Sequence, residues 1–328
     1  MDAGGEIRVG ILGAASIAPW AMLLPAAAHP DVCVTAIAAR DPARARLMAI
    51  QYGVPTVAET YAELLQRDDV DLVYVALPVS LHAEWTIKAL EAGKAVLCEK
   101  PFAMNAEEAR LMVAAAVQAK RPLLEAIHYR FHAATERARV LVGSGALGRL
   151  VSARGTFVYP VPWSESEIRW RADLGGGAVM DDGCYPIHAL RTLLSQEPAV
   201  VSARWRHSRG VDAETRAELR FGDIPASIHV SLETDVPMAR LEIIGERGRL
   251  QVRSFITPQW GGGMTLQRDD LDEELDVGGL PTWEAQLAHV VEVLQGRAEP
   301  LTGGIDAISN MTVIDAIKRI AIQEGPQS

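Results

Sequence analysis

The chain has 328 residues, 49% of them hydrophobic and 23% charged, with a formal net charge of −10 at pH 7. Such a length exceeds the usual single core, so two domains are expected, and the composition excludes wholesale disorder. The acidic balance argues against nucleic acid or an anionic membrane surface as partner, because both reward basic patches.

Residues 1–6 are acidic and glycine-rich and run straight into a strand, so no signal peptide is expected. Strands are predicted at 7–12, 32–39, 71–77 and 95–98, and helices at 16–28, 41–52, 61–66, 81–91 and 106–119. The most apolar helical stretch, 19–28, holds two prolines and is too short to span a bilayer. Two helix starts carry capping boxes, Thr60 with Glu63 and Asn105 with Glu108. Strands alternating with helices at this spacing predict a parallel, doubly wound α/β sheet over residues 1–126.

Past residue 126 the pattern changes. One helix at 135–142 precedes β-rich runs at 150–159, 199–207, 214–221, 226–233, 240–244 and 249–253, and helices at 283–294 and 305–322 close the chain. Polar and apolar residues alternate at 227–232, which marks a sheet with one face buried and one wet. Residues 127–328 therefore read as an α+β substrate-binding domain with a large, mostly antiparallel, open-faced sheet. That face is the expected surface of a homodimer or homotetramer. Cys33, Cys98 and Cys184 are far apart in apolar sequence, as reduced thiols of a cytoplasmic protein would be, and suggest neither a disulfide frame nor a metal site.

The first strand leads into Gly13-Ala-Ala15-Ser-Ile-Ala18, which compares with G-x-G-x-x-G/A but has alanine at its second and third positions. Taken alone, this is equally a phosphate-binding turn or a small-residue turn packing a helix on a strand. After the second strand, where a carboxylate would accept the ribose hydroxyls of NAD, stands Arg40-Asp41-Pro-Ala-Arg44. Two arginines four residues apart suit a 2′-phosphate and favour NADP over NAD. The alternative is a solvated helix face, with Asp41 as its cap. The fourth strand ends at Glu99-Lys100-Pro101, where Pro101 lacks an amide hydrogen and keeps Lys100 out of helix. The ammonium is thereby held at a strand's C-terminal edge, where open α/β sheets bind ligands. With 27 arginines and five lysines in the chain, a plain surface cation here would more often be arginine. A helix over 178–194 would align Asp181, Tyr185, His188 and Thr192 among apolar neighbours. Such a stripe needs polar partners and is either a site or a structural network; Gly183 and Pro186 fit a first turn better than a helix interior.

Five segments occur in order: Gly13-x-Ala15-x-x-Ala18, Leu77-Pro-Val-Ser-Leu-His82, Ala92-Gly-Lys-Ala-Val-Leu-Cys-Glu-Lys-Pro101, Glu125-Ala-Ile-His-Tyr-Arg-Phe131, and Gly175-Gly-Gly-Ala-Val-Met-Asp181-x-x-x-Tyr185. Together they resemble the Gfo/Idh/MocA oxidoreductase family, nearest to its dihydrodiol dehydrogenase and NADP-dependent xylose dehydrogenase branch. The resemblance implies a Rossmann domain and an NADP(H)-dependent oxidoreductase. Its hydride would move to or from a carbon bearing oxygen in a sugar, cyclic polyol or related hydroxy or keto compound. The implied catalytic residues are Lys100, Asp181 and Tyr185, with Tyr185 as acid/base assisted by Lys100. Cofactor contacts are implied from Gly13, Ala15, Ser16, Ile17, Arg40, Arg44, Leu77, Pro78, His82, Glu99 and Lys100. Substrate contacts are expected from His128, Tyr159, Trp163, Arg169 and His188. Val79 stands where the family often has asparagine, and His128 where the dihydrodiol branch has tryptophan. His128 and His132 are four apart but no third ligand is evident, so no metal is expected. Two other activities fit the scaffold: an NAD-dependent glycosidase or lyase using transient oxidation, and a non-catalytic NADPH-binding regulator.

Overall fold

The computed structural model describes residues 5–268 and 271–323. Residues 1–4, from which the absence of a signal peptide is partly read, lie outside them. The chain divides into two compact units, Met1–His128 with Trp283–Ile308, and Tyr129–Thr282 with Ser309–Ser328. The sequence places a single boundary after residue 126, whereas the first unit takes back residues 283–308. The reason is burial: Trp283, Leu287, Val290, Val291 and Leu294 of the helix Thr282–Leu294 share a core with Ile7, Val9 and Ile11. Helical periodicity shows that a face must be buried but not against what.

In the first unit, β1 (Ile7–Leu12), β2 (Val32–Ala38), β3 (Thr56–Val57), β4 (Leu72–Val75), β5 (Ala95–Cys98) and β6 (Leu123–Glu125) form one parallel sheet in the order β3-β2-β1-β4-β5-β6. This order reverses direction between β1 and β4, the point where such sheets bind dinucleotides. Every residue of β4 and β5 is buried, which explains their unbroken apolar runs. The helices are α1 (Leu24–Ala28), α2 (Pro42–Tyr52), α3 (Tyr61–Leu65), α4 (His82–Glu91) and α5 (Ala106–Ala119). Both capping boxes form: Thr60 accepts from the Glu63 amide at 3.0 Å and Asn105 from the Glu108 amide at 2.9 Å. The two glutamates reach back one residue beyond the cap, to the amides of Glu59 and Met104. The helix expected from residue 16 begins only at Pro19, as a π turn over Pro19–Leu23 ahead of α1. A proline has no amide to give and fits a first turn, so residues 14–17 stay outside the helix.

In the second unit, α6 (Ala133–Gly143) precedes β7 (Leu150–Val158). The helices α7 (Ala178–Asp181) and α8 (Cys184–Leu194) follow. Next come β8 (Ala199–Ser208), β9 (Val211–Phe221), β10 (Ile224–Ser231), β11 (Met238–Gly245), β12 (Gly248–Arg253), β13 (Gly263–Arg268), β14 (Leu271–Leu275) and β15 (Ile322–Gln323). The nine strands run β14-β13-β12-β11-β7-β10-β9-β8-β15, antiparallel except at β7–β10 and β8–β15. On β9, Ala213, Thr215, Ala217, Leu219 and Phe221 are buried while Arg216, Glu218 and Arg220 are exposed, so one face is wet. The single helix expected over 178–194 is broken at Asp182–Gly183. A Cβ on Gly183 would sit 2.3 Å from the Val179 carbonyl oxygen. Pro186 then falls in the first turn of α8 and packs on Gly155 of β7, where a Cβ would come within 2.7 Å of the proline ring.

Candidate active site

The turn after β1 requires glycine. Gly13 has φ +105°, and a Cβ there would lie 2.2 Å from the Ala76 carbonyl oxygen. Its amide donates to Ala38 at 2.8 Å, while the Ala76 amide donates to Leu12 at 2.8 Å, so the turn is fixed between the ends of β2 and β4. Among the described residues, the amides of Ala15, Ser16 and Ile17 have no acceptor, which makes this segment a donor set for an anion. Arg44 donates through Nη2 to the Ala14 carbonyl at 2.9 Å, and its other donors remain available. Arg40 is exposed at the end of β2, where its amide donates to the Tyr61 hydroxyl oxygen at 3.1 Å. Tyr61 in turn meets Trp85 edge-on at 4.9 Å. Asp41 is the cap of α2, accepting from the Ala43 amide at 2.9 Å. A glycine cradle, three available amides and two exposed guanidiniums fit a dinucleotide bearing a 2′-phosphate.

Lys100, half-buried, follows β5 on the same edge. The Glu99 amide donates to Val75, and the Glu99 carboxylate accepts from the Tyr74 hydroxyl at 2.6 Å and the Lys100 amide at 3.2 Å. The Lys100–Pro101 peptide is cis. Leu77, Pro78 and Val79 begin the turn after β4. His82 is engaged there by main chain: Nε2 lies 2.8 Å from the Leu77 carbonyl and Nδ1 3.0 Å from the Pro101 carbonyl. Burial pushes its imidazole pKa down, and the charge of Lys100 acts in the same direction. His128 follows β6 and stacks on Trp283, with centroids 4.5 Å apart. Burial first, then the charge of Lys100, depress its pKa to about 3, so this ring is neutral near pH 7.

In the second unit the glycine run 175–177 is locked by Asp212. This carboxylate accepts from the Val179 amide and the Thr215 hydroxyl, each at 2.8 Å, and leaves no room for a Cβ on Gly177. Asp181, at the end of α7, accepts from Arg169 Nε at 2.8 Å, and Arg169 Nη1 donates to Glu167 at 3.0 Å. Asp181 is the main cause of the raised Arg169 pKa. Tyr185 is buried, with Phe157 edge-on at 5.7 Å and Tyr129 at 6.1 Å. His188 Nδ1 shares a hydrogen bond with the Tyr129 hydroxyl and lies 3.5 Å from Thr192 Oγ1. The polar stripe thus divides: Asp181 is ion-paired, while His188 and Thr192 join a network through Tyr129. Tyr159 and Trp163 are half-exposed, and the Arg209 guanidinium lies 5.1 Å from the Trp163 ring. Tyr129 and Phe157 lie against Tyr185, and Trp283 lies against His128, without having been singled out in the sequence. Only Tyr129 had a signal, since it lies in the 125–131 segment. Among the described residues no group of His, Cys, Asp and Glu could hold a metal ion, and no helix is long and apolar enough to cross a membrane.

A parallel sheet of this order, with its glycine turn, arginine pair and edge lysine, followed by an open-faced sheet, defines a nicotinamide-dinucleotide oxidoreductase of two domains. Residues 7–126 match the oxidoreductase family with an NAD-binding Rossmann fold, and residues 135–251 match the GFO/IDH/MocA C-terminal domain. The dTDP-3,4-didehydro-2,6-dideoxy-alpha-D-glucose 3-reductase of Streptomyces violaceoruber is 40% identical over 82% of this chain and 79% of its own. The NADP-dependent D-xylose 1-dehydrogenase 2 of Haloferax volcanii is 34% identical over 94% and 95%. Among solved structures, the 3-ketoreductase KijD10 of Actinomadura kijaniata, in complex with NADP and TDP-benzene, superposes with a TM-score of 0.90 at 30% identity, covering 97% of this chain and 99% of its own. The chain belongs to the Gfo/Idh/MocA oxidoreductase family.

Proposed function

We propose that the protein is an NADP(H)-dependent reductase or dehydrogenase acting on a carbonyl or hydroxyl carbon of a sugar or sugar-like compound, whether a nucleotide-linked keto sugar, an aldose or a cyclic polyol. The observation that carries this reading is the arginine pair after β2 on the same sheet edge as the lysine after β5. The similarity to keto-sugar reductases and to a xylose dehydrogenase supports the substrate class. Arginines in place of a β2 carboxylate tell against an NAD enzyme of transient oxidation.

When bound, the dinucleotide supplies or accepts the hydride. Tyr185 is assigned the proton, given to the carbonyl oxygen on reduction and taken from the hydroxyl on oxidation. A free phenol titrates near about 10, too high for an efficient base at neutrality, and an ammonium such as Lys100 favours the phenolate. Asp181 is assigned to orienting the substrate hydroxyls with Arg169, which its carboxylate already holds. His128 and His188 are assigned to substrate recognition, with Tyr159 and Trp163 at the periphery. The open face of the second sheet is assigned to self-association.

The test is stoichiometric cofactor oxidation or reduction in a screen of keto sugars, aldoses, polyols and dicarbonyls with NADP(H) and NAD(H) in parallel. With the substrate found, Tyr185→Phe and Lys100→Met are each expected to lower kcat about a hundredfold or more. Near wild-type rates in both would remove the scheme.

A further inference from the structure

We propose that His82 is a positioning residue, a single imidazole that ties the turn carrying Lys100 to the turn that receives the cofactor. The inference rests on reading Lys100 as an active-site lysine. His82 is the first residue of α4 and is 1% exposed. Its two ring nitrogens face opposite ways, to the carbonyls of Leu77 (2.8 Å) and Pro101 (3.0 Å).

Those carbonyls belong to the two turns that matter. Leu77 directly follows Ala76, whose carbonyl presses on Gly13, and the Leu77 side chain itself would lie 3.2 Å from a Cβ on Gly13. Pro101 directly follows Lys100. The strands beneath are already paired: the β4–β5 register runs to Val75 opposite Cys98, and the Glu99 amide then reaches Val75. Beyond that point, among the described residues, no main-chain hydrogen bond joins residues 76–81 to residues 101–105. The imidazole spans the opening. On its other side, Lys100 is held by its amide to the Glu99 carboxylate, itself fixed by Tyr74. The lysine is therefore anchored before and after, and the second anchor leads through one ring to the glycine turn.

The choice of side chain follows from the geometry. Both targets are carbonyl acceptors on opposite sides of the ring, so a neutral imidazole donates its one N–H to one of them while the rigid, buried ring packs against the other. Burial and the neighbouring ammonium favour the neutral ring, which has one N–H. The tautomer then sets which turn receives the donated bond. Glutamine can supply the one donor but not the rigid ring between the turns, and phenylalanine supplies a ring with no donor.

The experiment uses the full chain as wild type, His82→Gln and His82→Phe. Trace acetylation resolved by mass spectrometry reports the reactivity of all five lysines, 88, 94, 100, 120 and 318, so four serve as internal controls. In His82→Phe, labelling at Lys100 is expected to rise by about threefold or more with the other four unchanged. Its kcat should fall about tenfold or more, because small misplacements of a reacting group are costly. His82→Gln should fall between the two proteins in both readouts. Wild-type labelling at Lys100 in His82→Phe overturns the proposal, as does a uniform rise at all five lysines, which would mean general loosening. If His82→Phe does not fold, His82→Gln decides by the same two readouts. Labelling needs no substrate, so a protein that reduced none of the compounds screened would still test this tie while losing the proposed activity.

Discussion

A buried imidazole beside a lysine carries a proton only in strong acid. His128 in the folded protein titrates at about 3, whereas in the unfolded chain it titrates near 6.5. Between those values the unfolded state holds the extra proton, so stability from this group rises with pH and is lost on acidification, by at most about 1.4 kcal/mol per pH unit. His128→Phe keeps a ring on Trp283 and removes the titration. Urea unfolding at about pH 7.5 and about pH 5 should show a smaller loss on acidification in the variant than in wild type. Equal losses would place the acid sensitivity elsewhere. The arginines act through charge: Arg40→Ala or Arg44→Ala should weaken NADPH binding about tenfold and NADH binding far less, measured by titration of cofactor fluorescence. Equal weakening of both cofactors would remove the 2′-phosphate assignment. At this scale the sequence is legible where chemistry is local, as in Gly13, the caps at Thr60 and Asn105, and Lys100 before its proline. It is mute where partners are distant in the chain: His82 meets Pro101 nineteen residues away, and Arg169 meets Asp181 twelve away.

At the scale of elements, the break between α7 and α8 decides where Asp181 and Tyr185 point. Gly183 has φ −67° and ψ −30°, a conformation any residue adopts. By helix propensity alone, alanine there would stabilise by about 1 kcal/mol. The space gives the opposite sign, since the clash at 2.3 Å is with the Val179 carbonyl, a backbone atom that yields only if the helix shifts. Gly183→Ala is expected to lower the melting temperature, by roughly 2 kcal/mol of stability, and to reduce kcat, because both helices bear site residues. A higher melting temperature would show that the break answers to propensity instead. The predicted strands and helices are mostly found, because long elements declare their period. The elements missed have physical reasons: β3 and β6 are two and three residues long, β13 begins inside a glycine run, and β14 is an acidic run that resembles a loop.

Over the whole molecule, two burial regimes separate the sheets and were readable as such, with continuous apolar runs in one and alternation in the other. The return of residues 283–308 to the first unit was not readable, since nothing local marks which core a helix joins. The alternation has a further consequence. On β10, Ala226, Ile228 and Val230 are buried, while Ser227 and His229 are partly exposed on the other face. β10 lies between β7 and β9, so Ser227 is central on that wet face, with Arg154 and Glu218 as its cross-strand neighbours. If two copies meet there, a long side chain at this central position intrudes between the two faces, and a two-fold interface repeats the intrusion on both sides. Light scattering on the wild type should give a mass of at least two chains, and Ser227→Arg should shift it toward one chain while NADPH titration is unchanged. A wild type of one-chain mass, or a variant that associates as well as wild type, would move the contact off this face.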